Sequence, residues 1–167
     1  MTLLAVDPGL RNAGVALFSL DGPNAGQLIH AQLIKNPAQG DGPNAWFALG
    51  DHAYEIFKKL GHRIDVYAVE VMQVYKGNYK NPNDLIQVAA CGAAIGAALP
   101  IKEAHGYYPR EWKGNVPKAI HNERTMNRIS EAEKKVIQRT PGYLMNNVID
   151  AIGIGLFHLE RTRVRIA

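Results

Sequence analysis

A chain of 167 residues, 47% hydrophobic and 20% charged, is long enough to bury a core of its own and has the balance of a soluble globular protein. Its single cysteine, Cys91, excludes an internal disulfide, and the expected location is cytoplasmic, a host's cytoplasm if the chain is phage-encoded. The formal net charge of +4 is mildly basic, no apolar run is long enough to span a bilayer and no export signal is visible, so no membrane partner is expected.

Leu3-Leu4-Ala5-Val6 reads as a short buried strand ending at the turn Asp7-Pro8-Gly9. Residues 14–20 and 27–34 read as the next two strands, with Asp21-Gly22-Pro23-Asn24 turning between them. A loop at 40–44 leads into helical spacing over 45–60, carried by Phe47, Leu49, His52, Ile56 and Leu60. Residues 65–71 are the following strand, with Glu70 near its end and a polar loop at 76–82 behind it. Asn83 or Asp84 is expected to cap a helix running to about Leu99, which Pro100 stops. Residues 101–105 suit a fifth strand. Residues 109–141 break into helical pieces, one of them starting at Ile129-Ser130-Glu131, and a last helix runs from about Val148 to Glu160. Strands joined by short turns, then helices alternating with strands, predict an α/β fold in one domain spanning 1–167. Its sheet is mixed and five-stranded, antiparallel in the first three strands and parallel thereafter, with helices flanking it.

Three acids stand out. Asp7 closes an apolar strand, Glu70 interrupts Val69-Glu70-Val71, and Asp150 lies among apolar neighbours near the start of the last helix. Singly, each has an ordinary reading as a turn residue, a solvent-facing strand position or an acid favoured by a helix dipole. Jointly they suggest carboxylates converging at a sheet edge, with Gly153 and Gly155 letting the last helix approach the sheet. Such acids repel one another unless cations lie between them. Two Mg²⁺ ions would neutralise them, bridge a phosphate and activate a water. Lys76, Lys80, Arg110, Lys113, Lys118, Arg124 and Arg128 fall between or beside the acids, and Arg161, Arg163 and Arg165 follow. A basic surround of this kind draws phosphate towards an acidic centre.

The run Leu4-Ala5-Val6-Asp7-Pro8-Gly9-Leu10-Arg11-Asn12-Ala13-Gly14-Val15-Ala16 resembles the first hairpin of RuvC-type Holliday-junction resolvases. Ala68-Val69-Glu70 resembles their second acidic motif, Gln87 to Ala94 their small-residue helix, and Asp150 to His158 their closing acidic helix. These segments occur in the family's order and extend from about Leu3 to Glu160. The resemblance implies a ribonuclease H-like fold, a homodimer, divalent metal and paired symmetric nicks across a four-way DNA junction. It assigns catalysis to Asp7, Glu70, Asp150 and Lys118, with two Mg²⁺ per site and Mn²⁺ able to substitute. There are departures: the family's usual fourth metal-site residue, three positions before the last acid, is Asn147 here, which could either offer a neutral oxygen to metal or cap the helix. Two extra residues separate Glu70 from Tyr75, and the segment around Lys113 and Lys118 is compressed, which suits a divergent member, of phage type or otherwise non-standard.

The stretch Val74 to Asn81 mixes Tyr75, Lys76, Tyr79 and Lys80 with flexible residues, a pattern for stacking on unpaired bases and meeting phosphates. Lys113 and Lys118 are expected near the scissile phosphate, and Arg11 beside Asp7 on the DNA backbone. The small residues of helix 84–99 suit a two-fold dimer seam or packing on the chain's own sheet. His52, His62 and His121 look like surface or partly packed residues, and Cys91 like inert packing. Competing readings are a nuclease acting on flaps, forks or RNA-containing hybrids, a non-catalytic junction-binding protein, and an actin-like ATPase, which needs far more chain.

Overall fold

The computed structural model describes residues 1–73 and 81–164. Strands β1 (Thr2–Asp7), β2 (Asn12–Ser19), β3 (Leu28–Lys35), β4 (Val66–Glu70) and β5 (Glu103–Tyr107) form one five-stranded sheet in the order β3-β2-β1-β4-β5. The β1–β2 and β2–β3 pairs are antiparallel, whereas β1–β4 and β4–β5 are parallel, the mixed arrangement predicted from the sequence. Helices α1 (Pro43–Leu60) and α2 (Pro82–Ala97) make the crossovers. After β5 come α3 (Pro109–Trp112), α4 (Lys118–Asn127), α5 (Glu131–Lys134) and α6 (Met145–Arg161).

The two-residue period of the strands decides which face each side chain joins. Leu4 and Val6 of β1, with Val15 and Leu17 of β2, pack under α1 and α2 against Leu49, Phe57, Cys91 and Ile95. Leu3 and Ala5, with Ala16 and Phe18, pack under α6 against Val148, Ala151, Ile152 and Leu156. Cys91 is fully buried there as simple packing. In β4, Val66 and Ala68 join the α6 side while Tyr67 joins the other. Asp7 therefore continues the Leu3/Ala5 face, and Glu70 continues the Val66/Ala68 face. Because Val6 pairs with Val69 in register, their successors emerge side by side beneath α6.

Several boundaries differ from the sequence reading, each for a local reason. Helix α2 is capped by Asn81, whose side chain accepts from the Asn83 N–H, with Pro82 supplying a preset first turn. Asn83 and Asp84 are thus inside the helix. Strand β5 begins at Glu103 because Lys102 and Glu103 N–H groups are drawn to the Asp65 carbonyl before strand pairing starts. Helix α6 begins at Met145, preceded by a 3₁₀ turn over Gly142–Leu144, and its N-cap is Leu144, which has no capping side chain. Asn147 is the third residue inside α6, so its reading as the cap is corrected. The expected start at Ile129-Ser130-Glu131 is a capping box: Ser130 Oγ accepts from the Glu133 N–H and Glu133 accepts from the Ser130 N–H. The second oxygen of Glu133 takes the Leu28 N–H at 2.8 Å, tying α5 to β3.

Glycines set how closely α6 lies on the sheet. A Cβ at Gly155 would stand 2.1 Å from the Phe18 ring, and one at Gly14 would stand 1.9 Å from the Asn147 carbonyl oxygen. Gly153 faces Trp112 and His121 rather than the sheet, so its expected role in sheet contact is corrected. Among the described residues, no helix is long and apolar enough to cross a membrane.

Candidate functional site

Asp7 and Glu70 end adjacent parallel strands at the carboxyl edge of the sheet, where open α/β folds place their ligand sites. Asp150 descends onto that edge from the second turn of α6 and is only 6% exposed. Burial pushes the Asp7 carboxyl well above the usual carboxylate range, and the charges of Glu70 and Asp150 push it further, while Lys113 and Lys118 oppose them. Burial likewise raises Glu70; Lys113 pulls it back and Asp150 adds to the rise. Asp7 thus lies within the electrostatic reach of both Glu70 and Asp150.

Two carboxylate oxygens at this edge, Glu70 Oε2 and Asp150 Oδ1, are buried and have no partner in hydrogen-bond geometry among the described residues, although Trp112 and Lys113 come close enough to Glu70 to lower its pKa. An orphan carboxylate oxygen in low dielectric is costly, and each such group calls for a partner that would satisfy it. The nearest positive groups do not close the gap. Lys113 Nζ stands 3.7 Å from Glu70 Oε2, Lys118 Nζ approaches the other Asp150 oxygen, Oδ2, at 3.8 Å, and the group nearest Asp150 Oδ1 is His121 Nε2 at 3.5 Å. Among the described residues, no group of three His, Cys, Asp or Glu side chains stands where it could hold a metal ion by itself. Mg²⁺ does not require one, since it is commonly bound through one or two carboxylates plus water and substrate phosphate. Orphan oxygens, mutual repulsion and an all-oxygen donor set fit a hard divalent ion.

Two residues to which the sequence reading gave no role in the site, His121 and Trp112, pack beside Asp150 and Lys113. His121, expected to be a surface or partly packed residue, is buried at 6% exposure, with Nε2 3.5 Å from Asp150 Oδ1. Burial lowers its pKa, with Lys113, Arg128 and Lys118 adding to the effect and Asp150 opposing it, which favours the neutral ring. Trp112 lies edge-on to His121 at 5.0 Å between ring centroids, and Lys113 Nζ sits 4.7 Å from the Trp112 ring centre. Gly153 makes room for both rings. The available signal was spacing: His121 follows Lys118 by three residues in one helix, so the two share a face.

The remaining expected positions divide. Asn147 lies one turn before Asp150 on the same helix face and is half-buried. Arg11 is exposed near the β1–β2 turn, its guanidinium donating to the Gly40 carbonyl at 2.5 Å. Arg128 pairs with Glu160, while Arg161 approaches Glu111 at 3.5 Å and lies over Tyr107 and Phe157. Those two arginines have structural partners away from the acids. Tyr75, Lys76, Lys80 and Arg165 lie outside the described residues.

No family model matches the chain. It is 24% identical over 173 residues to the crossover junction endodeoxyribonuclease RuvC of Sulfurovum sp. strain NBC37-1, covering 99% of both chains. It is 28% identical over 174 residues to the protein of the same name from Campylobacter jejuni serotype O:6, covering 99% of this chain and 100% of that one. In structure it is similar to T. thermophilus RuvC in complex with Holliday junction substrate, at a TM-score of 0.65 and 19% identity, with 98% and 96% of the two chains covered. The fowlpox virus Holliday junction resolvase matches at a TM-score of 0.54 and 15% identity, covering 97% of this chain and 99% of that one. The fold is that of the RuvC-type, ribonuclease H-like resolvases.

Proposed function

We propose, from the similarity of this chain to RuvC-type resolvases along nearly the whole of its length, that it is a metal-dependent endonuclease that resolves four-way DNA junctions by paired nicks. The observation that carries the reading is the meeting of Asp7, Glu70 and Asp150 at one sheet edge with two buried, unpaired carboxylate oxygens. Asp7, Glu70 and Asp150 would hold Mg²⁺, for which Mn²⁺ could substitute, and Asn147 would add a neutral oxygen from the same face of α6. A bound divalent ion supplies positive charge for the phosphate and lowers the pKa of water at neutral pH.

The chain's own groups do the rest. Lys113 and Lys118 stand on the solvent side of the acids, where their ammonium groups meet the scissile phosphate and the charge that develops on it. Hydrolysis adds one water across the phosphodiester: its oxygen bonds to phosphorus, the bond to the 3′ oxygen breaks, and that oxygen takes up a proton. The products are a 5′-phosphate and a 3′-hydroxyl. His121, packed between Trp112 and Asp150, acts as a positioning residue that limits the rotation of the Asp150 carboxylate. Arg11 binds backbone phosphate at the entrance, and Tyr75, Lys76 and Lys80 are assigned to the junction centre on the sequence pattern alone.

Two opposed nicks require two sites, and α2 offers the seam. Its inner face buries Cys91, Gly92, Ile95 and Gly96, while Ile86, Ala89, Ala93 and Ala97 form an exposed apolar stripe. Ile86 is 60% exposed. A second copy on that stripe would make the homodimer, and the cytoplasm is the expected setting. Cleavage of an immobile four-way junction, compared with linear duplex, flap, fork and RNA-containing substrates in Mg²⁺ and Mn²⁺, tests the reading. Metal-dependent paired nicks confined to the junction support it; binding without any cleavage in either metal refutes it.

A further inference from the structure

A second feature lies away from the acids, along the outer edge of the sheet. Strand β3 is the last strand on its side, and it is only partly covered. At Ala31 the segment after α5 pairs with it: the Ala31 N–H donates to the Val136 carbonyl and the Gln138 N–H donates to the Ala31 carbonyl at 2.7 Å. Backbone groups along a strand face the same edge at every second residue, so Leu33 and Lys35 present their N–H and C=O groups outward as Ala31 does. No backbone group among the described residues pairs with them there.

That bare edge opens into a groove of about 590 Å³ between β3, the second half of α1 and residues 138–141. Leu33, Ile34, Ile56 and Leu60 give it an apolar floor, and Leu60 is 37% exposed. Lys35, Lys59 and Arg139 rim it, and no acidic side chain among the described residues lines it.

We propose that this groove docks an extended, acidic peptide segment of a partner protein, which adds to the free edge of β3 and seats apolar side chains against Ile34, Ile56 and Leu60 on the α1 side of the sheet. Each observation selects for that chemistry. A free strand edge is satisfied by another extended backbone. The apolar floor rewards alternate hydrophobic side chains, and the unopposed cations reward carboxylates. A DNA backbone would use the three cations but neither the strand edge nor the floor. This inference is independent of the proposed nuclease chemistry.

The test uses the full chain and a fluorescein-labelled peptide of about ten residues alternating Asp or Glu with Ile or Leu. Anisotropy is expected to show saturable binding, weakened about tenfold or more by the exposed double substitution K59E/R139E and by proline at the peptide positions that donate to β3. Amide hydrogen exchange at Leu33 and Lys35 is expected to slow in the complex. Junction cleavage by K59E/R139E is expected to match the parent. Equal binding of a Glu-only peptide, indifference to proline, or unchanged exchange at Leu33 and Lys35 would each overturn strand addition. Loss of duplex affinity in K59E/R139E without peptide binding to the parent would instead make the groove a DNA path.

Discussion

Asp65 and Glu70 bracket β4, and the two ends of this strand treat a carboxylate in opposite ways. At the entry end, Asp65 is 3% exposed and fully engaged: it accepts from the Thr2 N–H at 3.2 Å and pairs with Arg63 and Lys102, each at 3.3 Å. Burial alone would raise its pKa, but the Thr2 N–H, Lys102 and Arg63 together hold it below the usual value. At the exit end, Glu70 joins Asp7 and Asp150; oxygens go unpaired, and burial with mutual repulsion drives Asp7 and Glu70 upward. The same residue types, in the same sheet, stabilise the fold at one end and strain it at the other. A buried acid with every oxygen satisfied stabilises the fold; acids left short of partners are the candidates for a binding site.

The largest expected effect comes from breaking the strained end. Asp7→Asn should leave the protein folded and able to bind a junction while reducing cleavage by on the order of 10³-fold or more, the scale for losing a charge that acts on the reacting phosphate. Gel shift and cleavage on one junction check it. Gly14→Ala comes next. Its new methyl meets the Asn147 carbonyl, so α6 must lift from β2 and carry Asp150 with it. Cleavage should fall by about 10²-fold, the cost of a misplacement near 1 Å, with a lower Tm. Lys118→Ala should slow single-turnover cleavage by about tenfold to a hundredfold, with Lys118→Arg partly restoring it.

The smallest effects carry the sharpest comparison, because their signs differ. Asp65 has a depressed folded pKa, so its contribution is present above the unfolded pKa and is lost as pH falls through the folded one. Asp65→Asn should lower Tm at neutral pH by about 4–8 °C, converge with the parent in acid and leave cleavage intact. Asp7 has a raised folded pKa, so the stability linked to its protonated form is present in acid and is lost as pH rises through that value. Asp7→Asn should therefore raise the Tm of the metal-free protein at neutral pH by about 2–4 °C, with the gain fading in acid. Differential scanning fluorimetry across pH reads both.

Much of this was legible in the chain. Apolar runs ending in Asp7 and Glu70 marked strands that stop at an edge, and the sheet's mixed direction followed from short turns giving way to helical crossovers. The two-residue period then set both acids on one face. What stayed hidden depended on contacts between segments far apart in sequence. His121 reads as one histidine in a polar helix until Gly153 and Trp112 bring it to Asp150. Asn147 has the composition of a cap, yet the turn at 142–144 starts α6 earlier and leaves it inside the helix. Asp65 gave no sign of its partners, because Thr2 and Lys102 reach it only once β1 and the lead-in to β5 are in place.

Thermal stability measured against divalent metal tests most directly whether the three acids act as one cation site. At about a hundredfold excess over Kd, a ligand bound only by the folded state contributes about 2.7 kcal/mol. Mg²⁺ or Mn²⁺ should therefore raise the Tm of the parent and of Asp65→Asn alike, while Asp7→Asn, Glu70→Gln and Asp150→Asn each lose most of the rise. A full metal-induced rise in Asp7→Asn, or none in the parent, would contradict the account.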